Sequence, residues 1–194
     1  MKDKTNEQAR IIAELIVQLG RTTHDYVDGL SPAQWSVLRF MSRANQFSRT
    51  VSAFAEFHST TRGTASQTVK SLVSQGYLTR TRSQRDGRSV IFDLTEAGRA
   101  ALTRDPCAAL VSAAAELPAT ARGHLSSGLG RLLETLERDS KLRQFGACGA
   151  CAHIVRQDSS RSGKQRFKCE LRGEYLDELE VTQTCIDFCS NKKR

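Results

Sequence analysis

The chain has 194 residues and carries 29 Lys and Arg against 21 Asp and Glu, which gives a formal net charge of +8. Hydrophobic residues make up 39% of it, enough for a folded core, but no apolar run approaches the ~18 residues that span a bilayer. The first residues lack the apolar core of a signal peptide, so we expect a cytoplasmic protein with no membrane partner, and its charge favours a polyanionic partner.

The first predicted element is an amphipathic helix over residues 7–28, where apolar side chains recur at helical spacing until Gly29 stops it. A second helix opens at Ser31 and Pro32, because serine caps helices and proline is favoured in the first turn. Its buried face is predicted to carry Trp35, Leu38 and Met41.

Two short helices joined by a tight turn are predicted next, followed by a hairpin. The third helix contains Val51, Phe54, Ala55 and Phe57. The fourth is capped by Thr60 or Thr61, turns Ala65, Val69, Leu72 and Val73 inward, and ends at Gly76. The pattern then alternates, which predicts a strand over 77–82, a turn with Asp-Gly over 83–88 and a return strand over 89–94.

Further helices complete this part of the chain. One begins at residues 95–98, is predicted to kink at Asp105-Pro106 and ends near Leu117-Pro118. The last covers residues 119–139 and carries an apolar stripe made of Leu125, Leu129, Leu132, Leu133 and Leu136.

A helix pair followed by a basic hairpin is a winged helix-turn-helix, whose second helix fits the major groove of DNA. The sequence therefore predicts double-stranded DNA as a partner. The outward side chains of that helix are Thr61, Arg62, Thr64, Ser66, Gln67 and Lys70. The hairpin carries Arg80, Arg82, Arg85 and Arg88 against Asp86, and its arginines suit the negative minor groove. The alternatives are a plain helical bundle and a merely solvated basic surface, and Glu56 and Asp93 are expected to be solvated.

Residues 61–78 and 86–98 carry a family resemblance. They resemble the recognition helix and the wing of MarR-type transcriptional regulators, and the likeness covers roughly residues 7–140. The resemblance implies a homodimer with interlocked first and last helices, a palindromic operator and, most often, repression. It places the family's Asp-x-Arg wing pair at Asp86 and Arg88, with glycine between them where a basic residue is common. It also implies, as an alternative mode of control, a small-molecule effector that binds near the dimer interface.

The homodimer also follows from the first and last helices themselves. Their apolar faces are longer than a single core of this size covers, and pairing about a two-fold axis would bury them. The same pairing would space two recognition helices about 34 Å apart, which is one turn of duplex. The alternative is an intramolecular bundle that buries these faces without a partner.

The C-terminal part is distinguished by cysteine. Five of the six cysteines lie from residue 148 onward, and the composition changes near residues 140–144. A Cys-x2-Cys turn directs two thiolates at one ion, and two later cysteines complete a tetrahedral set. The predicted ligands are Cys148, Cys151, Cys169 and Cys185, with Cys189 or His153 as substitutes. One such turn and two separate cysteines suit an iron–sulfur cluster as well as zinc, so the cofactor is left open between them.

Three other interpretations of these cysteines compete. They could be buried free thiols, reversible disulfides that sense oxidants, or ligands of a purely structural metal. A metal of some kind is favoured because so short a segment has few apolar residues around which to fold. If the centre is regulatory, its loss or oxidation is expected to act on the DNA-binding part through the adjoining last helix.

The sequence thus predicts a mostly α (α+β) fold: a winged helix-turn-helix with dimerisation helices over residues 1–143 and a small Cys-rich module over 144–194. The predicted function is a sequence-specific DNA-binding regulator, not an enzyme. The chain shows no Ser/His/Asp order, no Gly-rich phosphate loop and no paired carboxylates. A redox protein built on the cysteines is the weaker alternative, because it would need no basic wing.

Overall fold

A computed structural model of the chain describes residues 2–23, 27–82, 89–139, 143–158 and 165–191. The helices in these ranges are α1 (Lys2–Arg21), α2 (Pro32–Arg43), α3 (Val51–Phe57), α4 (Arg62–Ser74), α5 (Glu96–Ala101), α6 (Cys107–Glu116) and α7 (Ala119–Asp139). The strands are β1 (Leu78–Arg82), β2 (Val90–Leu94), β3 (Gly146–Ala147), β4 (Ile154–Asp158), β5 (Gln165–Cys169), β6 (Glu174–Leu176) and β7 (Thr184–Cys185). None of the described helices combines the length and the apolar character that a bilayer crossing requires.

The central helices begin at residues whose side chains cap them. Ser31 Oγ accepts a hydrogen bond from the Gln34 backbone N–H at 3.3 Å, and the Gln34 side chain accepts one from the Ser31 N–H at 2.8 Å. Thr50 and Thr61 cap α3 and α4 by accepting from the N–H three residues later. These bonds satisfy amides that the first turn leaves unpaired, and they confirm the predicted starts of α2 and α4.

The core forms where α2, α3 and α4 face one another. Trp35, Leu38 and Met41 are buried on α2, which confirms the predicted face. Trp35 also donates its indole N–H to the Val27 carbonyl at 3.3 Å, so its polar atom is satisfied inside the core. The helices are thereby fixed relative to one another by packing, which holds α4 in position for its outward side chains.

The hairpin has the predicted form. Strands β1 and β2 pair antiparallel, with Leu78 opposite Leu94 and Arg82 opposite Val90. The turn predicted at 83–88 lies outside the described residues. At the base of the hairpin, α5 passes so close that a Cβ added to Gly98 would lie 2.2 Å from the Tyr77 carbonyl oxygen.

Gly98→Ala is therefore expected to destabilise the protein by about 3 kcal/mol, because the contact is with backbone and cannot be relieved by a side-chain rotation. Gly63→Ala is the matched control: its added Cβ would meet Thr61 Oγ1 at 3.8 Å, an ordinary contact. Urea unfolding of both variants measures the difference. Equal midpoints for the two variants would show that α5 does not pack against the hairpin as described.

The end predicted for the first helix is wrong. Helix α1 ends at Arg21 rather than at residue 28. There the Thr22 and Thr23 hydroxyl groups donate to the carbonyls of Leu19 and Gly20, and these bonds close the last turn. Short polar side chains that bond to the local backbone compete with helix continuation, which explains the early stop.

The kink predicted at Asp105-Pro106 is instead a break. Helix α5 ends at Ala101, a single 3₁₀ turn follows, and α6 starts at Cys107. Proline lacks the amide hydrogen that a continuing helix needs, and the Asp105 carboxylate instead accepts a hydrogen bond from the Cys107 N–H at 2.8 Å. The chain therefore changes direction before α6 and α7, and the final helix has its predicted bounds, 119–139.

Helices α1 and α7 leave long apolar faces uncovered within one chain. The exposed apolar residues on α1 are Ile11, Ile12, Leu15, Ile16, Val17 and Leu19. Those on α7 are Leu125, Leu129, Leu132, Leu133 and Leu136, all at least 40% exposed. Contiguous apolar surface of this extent is typical of an interface.

Residues 143–191 build a small second core. Strands β4, β5 and β6 form an antiparallel sheet, and β3 pairs with β7. The sheet and the loops enclose a buried cluster that consists of Cys148, Phe167, Cys169, Leu176, Val181 and Cys185. Half of this cluster is cysteine, so thiol groups supply much of the packing that larger apolar side chains provide elsewhere.

Candidate nucleic-acid interface and thiol cluster

Helix α4 exposes nearly all the side chains predicted to contact DNA. Its inner side buries Ala65, Val69 and Leu72 against the core. The predicted contact residues that face outward are Thr61, Arg62, Thr64, Gln67 and Lys70, whereas Ser66 is half-buried. Thr61 is partly committed to the cap, because its Oγ1 lies 2.9 Å from Thr64 Oγ1 and accepts from the Thr64 N–H. Arg62, Gln67 and Lys70 are the longer side chains available to an external partner.

The wing carries part of its predicted arginine set within the described residues. Arg80 and Arg82 are exposed on β1. Arg80 lies opposite Phe92, on the strand face that also carries buried Leu78. The predicted contacts at the wing tip, Arg85, Asp86 and Arg88, lie outside the described residues.

A cleft of about 820 Å³ opens beside α4. It is bounded by α3, α4, the hairpin and the C-terminal segment. Its cationic lining residues are Arg62, Lys70, Arg80, Arg143 and Arg172, and its carboxylates are Glu56 and Asp187. Sequence reasoning missed Arg143, Arg172 and Glu56, because nothing local to these residues indicates that they meet across the fold.

The C-terminal segment docks on residues 44–50, which we call the α2–α3 segment. The Asn45 N–H donates to the Thr184 carbonyl at 2.9 Å, and Ser48 Oγ accepts from the Ile186 N–H at 2.8 Å. The side chains of both Asn45 and Ser48 are fully buried. The docked segment therefore both covers these two residues and supplies hydrogen-bond partners, without which a buried polar group costs roughly 1–3 kcal/mol.

Further contacts extend this interface. The Arg143 guanidinium pairs with the Glu56 carboxylate at 2.7 Å. Phe57 and Phe145 pack edge to face with ring centroids 5.0 Å apart. The expectation that Glu56 is solvated is therefore wrong, because α3 turns its outer side toward the C-terminal segment rather than toward water.

The predicted metal-binding cysteines are all buried: Cys148, Cys151, Cys169 and Cys185. Three of these four sulfur atoms accept N–H hydrogen bonds. Asn45 Nδ2 donates to Cys148 Sγ at 3.2 Å, the Asp187 N–H to Cys185 Sγ at 3.4 Å, and the Cys189 N–H to Cys151 Sγ at 3.4 Å. Donors of this kind stabilise thiolate over thiol.

Cys148 and Cys185 form a hydrogen-bonded pair that shares a proton. The Cys148 thiol, with help from Asn45 and the Asp187 N–H, lowers the pKa of Cys185 to about 6 against the effect of burial. The pKa of Cys148 is raised in turn, because its proton is bonded to Cys185 and because it is buried. Within the pair, Cys185 is therefore the sulfur atom that more readily becomes a thiolate.

The predicted ligands lie in one buried region but do not form a closed metal-binding group. Among the described residues, which include all six cysteines, no three His, Cys, Asp or Glu side chains are grouped as a metal site requires. Cys148 instead approaches Cys185, and Cys151 contacts the backbone of Cys189. Cys169 belongs to β5, where its position is fixed by pairing opposite Ile154. Cys169 nevertheless packs in the same buried cluster as Cys148 and Cys185.

Comparison with known proteins identifies the fold of the N-terminal part. Residues 28–89 match the model of the MarR family. A MarR transcriptional regulator from Methanosarcina mazei Go1 superposes with a TM-score of 0.54 at 20% identity, covering 68% of this chain and 99% of that one. The winged helix of this chain has the MarR fold. Two further structures have the same fold. The transcriptional regulator BldR from Sulfolobus solfataricus superposes with a TM-score of 0.52 at 20% identity, covering 69% of this chain and 96% of that one. A MarR/EmrR family transcriptional regulator from Acinetobacter sp. ADP1 superposes with a TM-score of 0.53 at 18% identity, covering 70% of this chain and 97% of that one. No curated protein is significantly similar in sequence.

The MarR match includes the residues that dock the C-terminal segment but not the segment itself. Asn45, Ser48 and Glu56 lie inside residues 28–89, and every cysteine of the cluster lies beyond them. About two thirds of this chain accounts for nearly the whole length of each regulator structure compared. The Cys-rich segment is thus an addition outside the family match, attached to a surface of the MarR-type winged helix.

Proposed function

We propose that this protein is a MarR-type transcriptional regulator that binds double-stranded DNA as a homodimer on a palindromic operator and acts as a repressor. The observation that carries the proposal is the outward face of α4, where Arg62, Gln67 and Lys70 are exposed beside a basic hairpin. Base edges are recognised by side chains such as Gln and Arg, and phosphates by Lys and Arg. A net charge of +8 supports the same partner.

The uncovered faces of α1 and α7 support the homodimer. Neither helix packs extensively against another element of the described chain, and both carry continuous apolar stripes. A second copy of the chain covers them by symmetry, since the same faces meet each other across a two-fold axis. Such a dimer presents two copies of α4 to successive turns of the major groove.

Selection of bound sequences from a random duplex pool, followed by salt titration, tests the DNA-binding proposal. We expect a palindromic sequence to be enriched. Arg62→Ala is expected to lower affinity about tenfold, and Gln67→Ala to relax the preference at one position of each half-site. Arg156→Gln, a cation on β4 away from α4, is the control and should behave as the wild type. Absence of any enriched sequence, or an Arg62→Ala variant that binds like the control, would contradict the proposal.

We further propose that the C-terminal thiols bind a metal ion or an iron–sulfur cluster. The donor chemistry fits: Cys148, Cys151 and Cys185 are buried, and their sulfur atoms accept N–H bonds as ligating thiolates do. Cys169 and Cys189 are the two candidates for a fourth ligand. When bound, the metal would cross-link the thiolates and supply folding free energy to a segment with a small core.

Metal analysis and the visible spectrum of protein purified without oxygen test this second proposal. A brown protein that contains iron and sulfide indicates a cluster, and a colourless one with one zinc per chain indicates a zinc site. Cys169→Ser and Cys189→Ser are compared under the same conditions, and only the ligand variant is expected to lose metal. Protein free of both metals, with five titratable thiols in the C-terminal segment, would contradict the proposal.

The docking contacts support a route from this centre to DNA. The α2–α3 segment binds the thiol region through Asn45 and leads directly into Thr50, the cap of α3. It also accepts a hydrogen bond from the Phe92 N–H through the Arg49 carbonyl, and so joins the base of the wing. A change in the thiol centre that releases Asn45 would act on both α3 and the wing. Such coupling requires the centre to bind the two states of the segment with different free energies.

A further inference from the structure

The cleft beside α4 follows one side of that helix. Arg62, Ser66 and Lys70 line it at helical spacing, and Val73 continues the same line toward the C-terminal end of α4. When a helix occupies the major groove, a sugar–phosphate strand passes along each of its sides, because the groove is only about 12 Å wide. In a complex of this kind, the strand on this side of α4 would lie over the cleft.

The opposite wall of the cleft brings further cations to that strand. Arg80 comes from the hairpin, whereas Arg143 and Arg172 come from the C-terminal segment. With Arg62 and Lys70, the cleft contains five cations against two carboxylates, Glu56 and Asp187, a balance of 5 − 2 = +3. A concave surface with this excess charge attracts phosphate.

The two C-terminal arginines are oriented but still accessible. Arg143 pairs with Glu56 through Nε at 2.7 Å, and 49% of its side chain remains exposed. The Arg143 Nη1 also donates to the Ile186 carbonyl at 3.4 Å. Arg172 is bonded to Asp187 through Nε at 2.7 Å and through Nη2, lies over the Phe47 ring with its guanidinium carbon 5.6 Å from the centroid, and keeps 37% of its side chain exposed. These contacts hold two exposed positive charges in fixed positions, which attracts phosphate and lowers the entropic cost of binding it.

From this geometry we infer that the Cys-rich C-terminal segment forms part of the DNA-binding surface, with Arg143 and Arg172 contacting the phosphates of the strand that flanks α4. This inference rests on the proposed DNA-binding function and extends it to a part of the chain outside the MarR match. The surface it assigns is continuous from α4 across the cleft to the docked segment.

Two variants of one ion pair separate this role from a structural one. Arg143→Gln removes a phosphate ligand, so affinity for any duplex is expected to fall about three- to tenfold, and the slope of log K against log salt to fall by about 0.9 per protomer. Glu56→Gln breaks the same ion pair but frees Arg143 and removes a repulsive carboxylate, so affinity is expected to rise about two- to fivefold. Arg143→Lys keeps the charge and should keep the slope.

The controls keep the outcomes distinct. Arg156→Gln lowers the net charge equally at a site away from the cleft and should leave the salt slope unchanged. Urea midpoints are recorded for each variant, because a purely structural ion pair predicts that Arg143→Gln and Glu56→Gln weaken DNA binding alike. If both variants weaken DNA binding alike, the inference is overturned. It is also overturned if Arg143→Gln binds DNA more tightly than the wild type, because the segment would then be covering α4. A wild-type protein that binds no duplex would instead overturn the proposed function itself.

Discussion

Replacement of Leu129 and Leu132 by aspartate is expected to convert the protein to a monomer and to lower its affinity for the selected palindromic duplex at least a hundredfold. Both leucines are exposed in the isolated chain, by 42% and 40%, on the same side of α7. In the proposed homodimer they are buried, so each variant chain would bring two unpaired carboxylates into an apolar interface. A monomer reads one half-site and loses the effective-concentration gain of about 10²–10⁴ from the second.

Sedimentation at micromolar concentration and duplex titration measure the two effects. Leu171 and Leu179 provide the matched control, because they are also exposed leucines but lie in the C-terminal segment, away from α1 and α7. Their double replacement by aspartate should leave both the dimer and the affinity intact. A Leu129 and Leu132 variant that sediments as a dimer would show that another surface joins the protomers.

Helix starts could be predicted from the sequence because their signals are local. Ser31 with Gln34, and Thr61 with the amide of residue 64, lie within one turn of each other, so a short window contains both the donor and the acceptor. The same is true of Gly76, whose φ of +78° ends the turn after α4. The end of α1 could not be predicted from periodicity, since apolar residues continue at helical spacing beyond Arg21.

The contacts between the two parts of the chain could not be predicted, because their partners are far apart in sequence. Asn45 and Cys148 are separated by 103 residues, and Ser48 and Ile186 by 138. The periodicity of α2 ends before the segment that contains Asn45 and Ser48, so nothing local distinguishes them from loop residues. Asp93 was likewise expected to be solvated, but it pairs with Arg49 at 2.5 Å.

Cysteine spacing carries information about chemistry but little about geometry. The Cys-x2-Cys turn at Cys148 and Cys151 forms as a local unit, closed by the bond from the Cys151 N–H to the Cys148 carbonyl at 3.0 Å. Which distant cysteine approaches each thiol depends instead on strand register, and register is set by the side chains of a whole sheet. This explains why the sequence identified the thiol-rich segment, whereas the contacts of its individual cysteines could not be read from their spacing.

The docking of that segment is expected to depend most strongly on Asn45. Asn45→Asp removes the donor to Cys148 Sγ and puts a carboxylate beside sulfur in a fully buried site, so we expect it to destabilise the protein by about 3–5 kcal/mol at pH 7.5. Asn191→Asp makes the same chemical change at an exposed position of the same segment and should cost less than about 0.5 kcal/mol. Urea unfolding and the rate of proteolysis within residues 143–191 measure the two variants.

The penalty at Asn45 has a defined pH dependence. Burial raises the pKa of the introduced carboxyl above its unfolded value of about 3.9, so the folded state binds the extra proton more tightly. The stability difference from the wild type is therefore expected to shrink as the pH is lowered from 7.5 toward 4 and to widen as it rises again. A difference that does not vary with pH would mean that the side chain has moved into water. If the segment undocks while duplex affinity stays at the wild-type value, the α2–α3 segment does not connect the thiol centre to DNA.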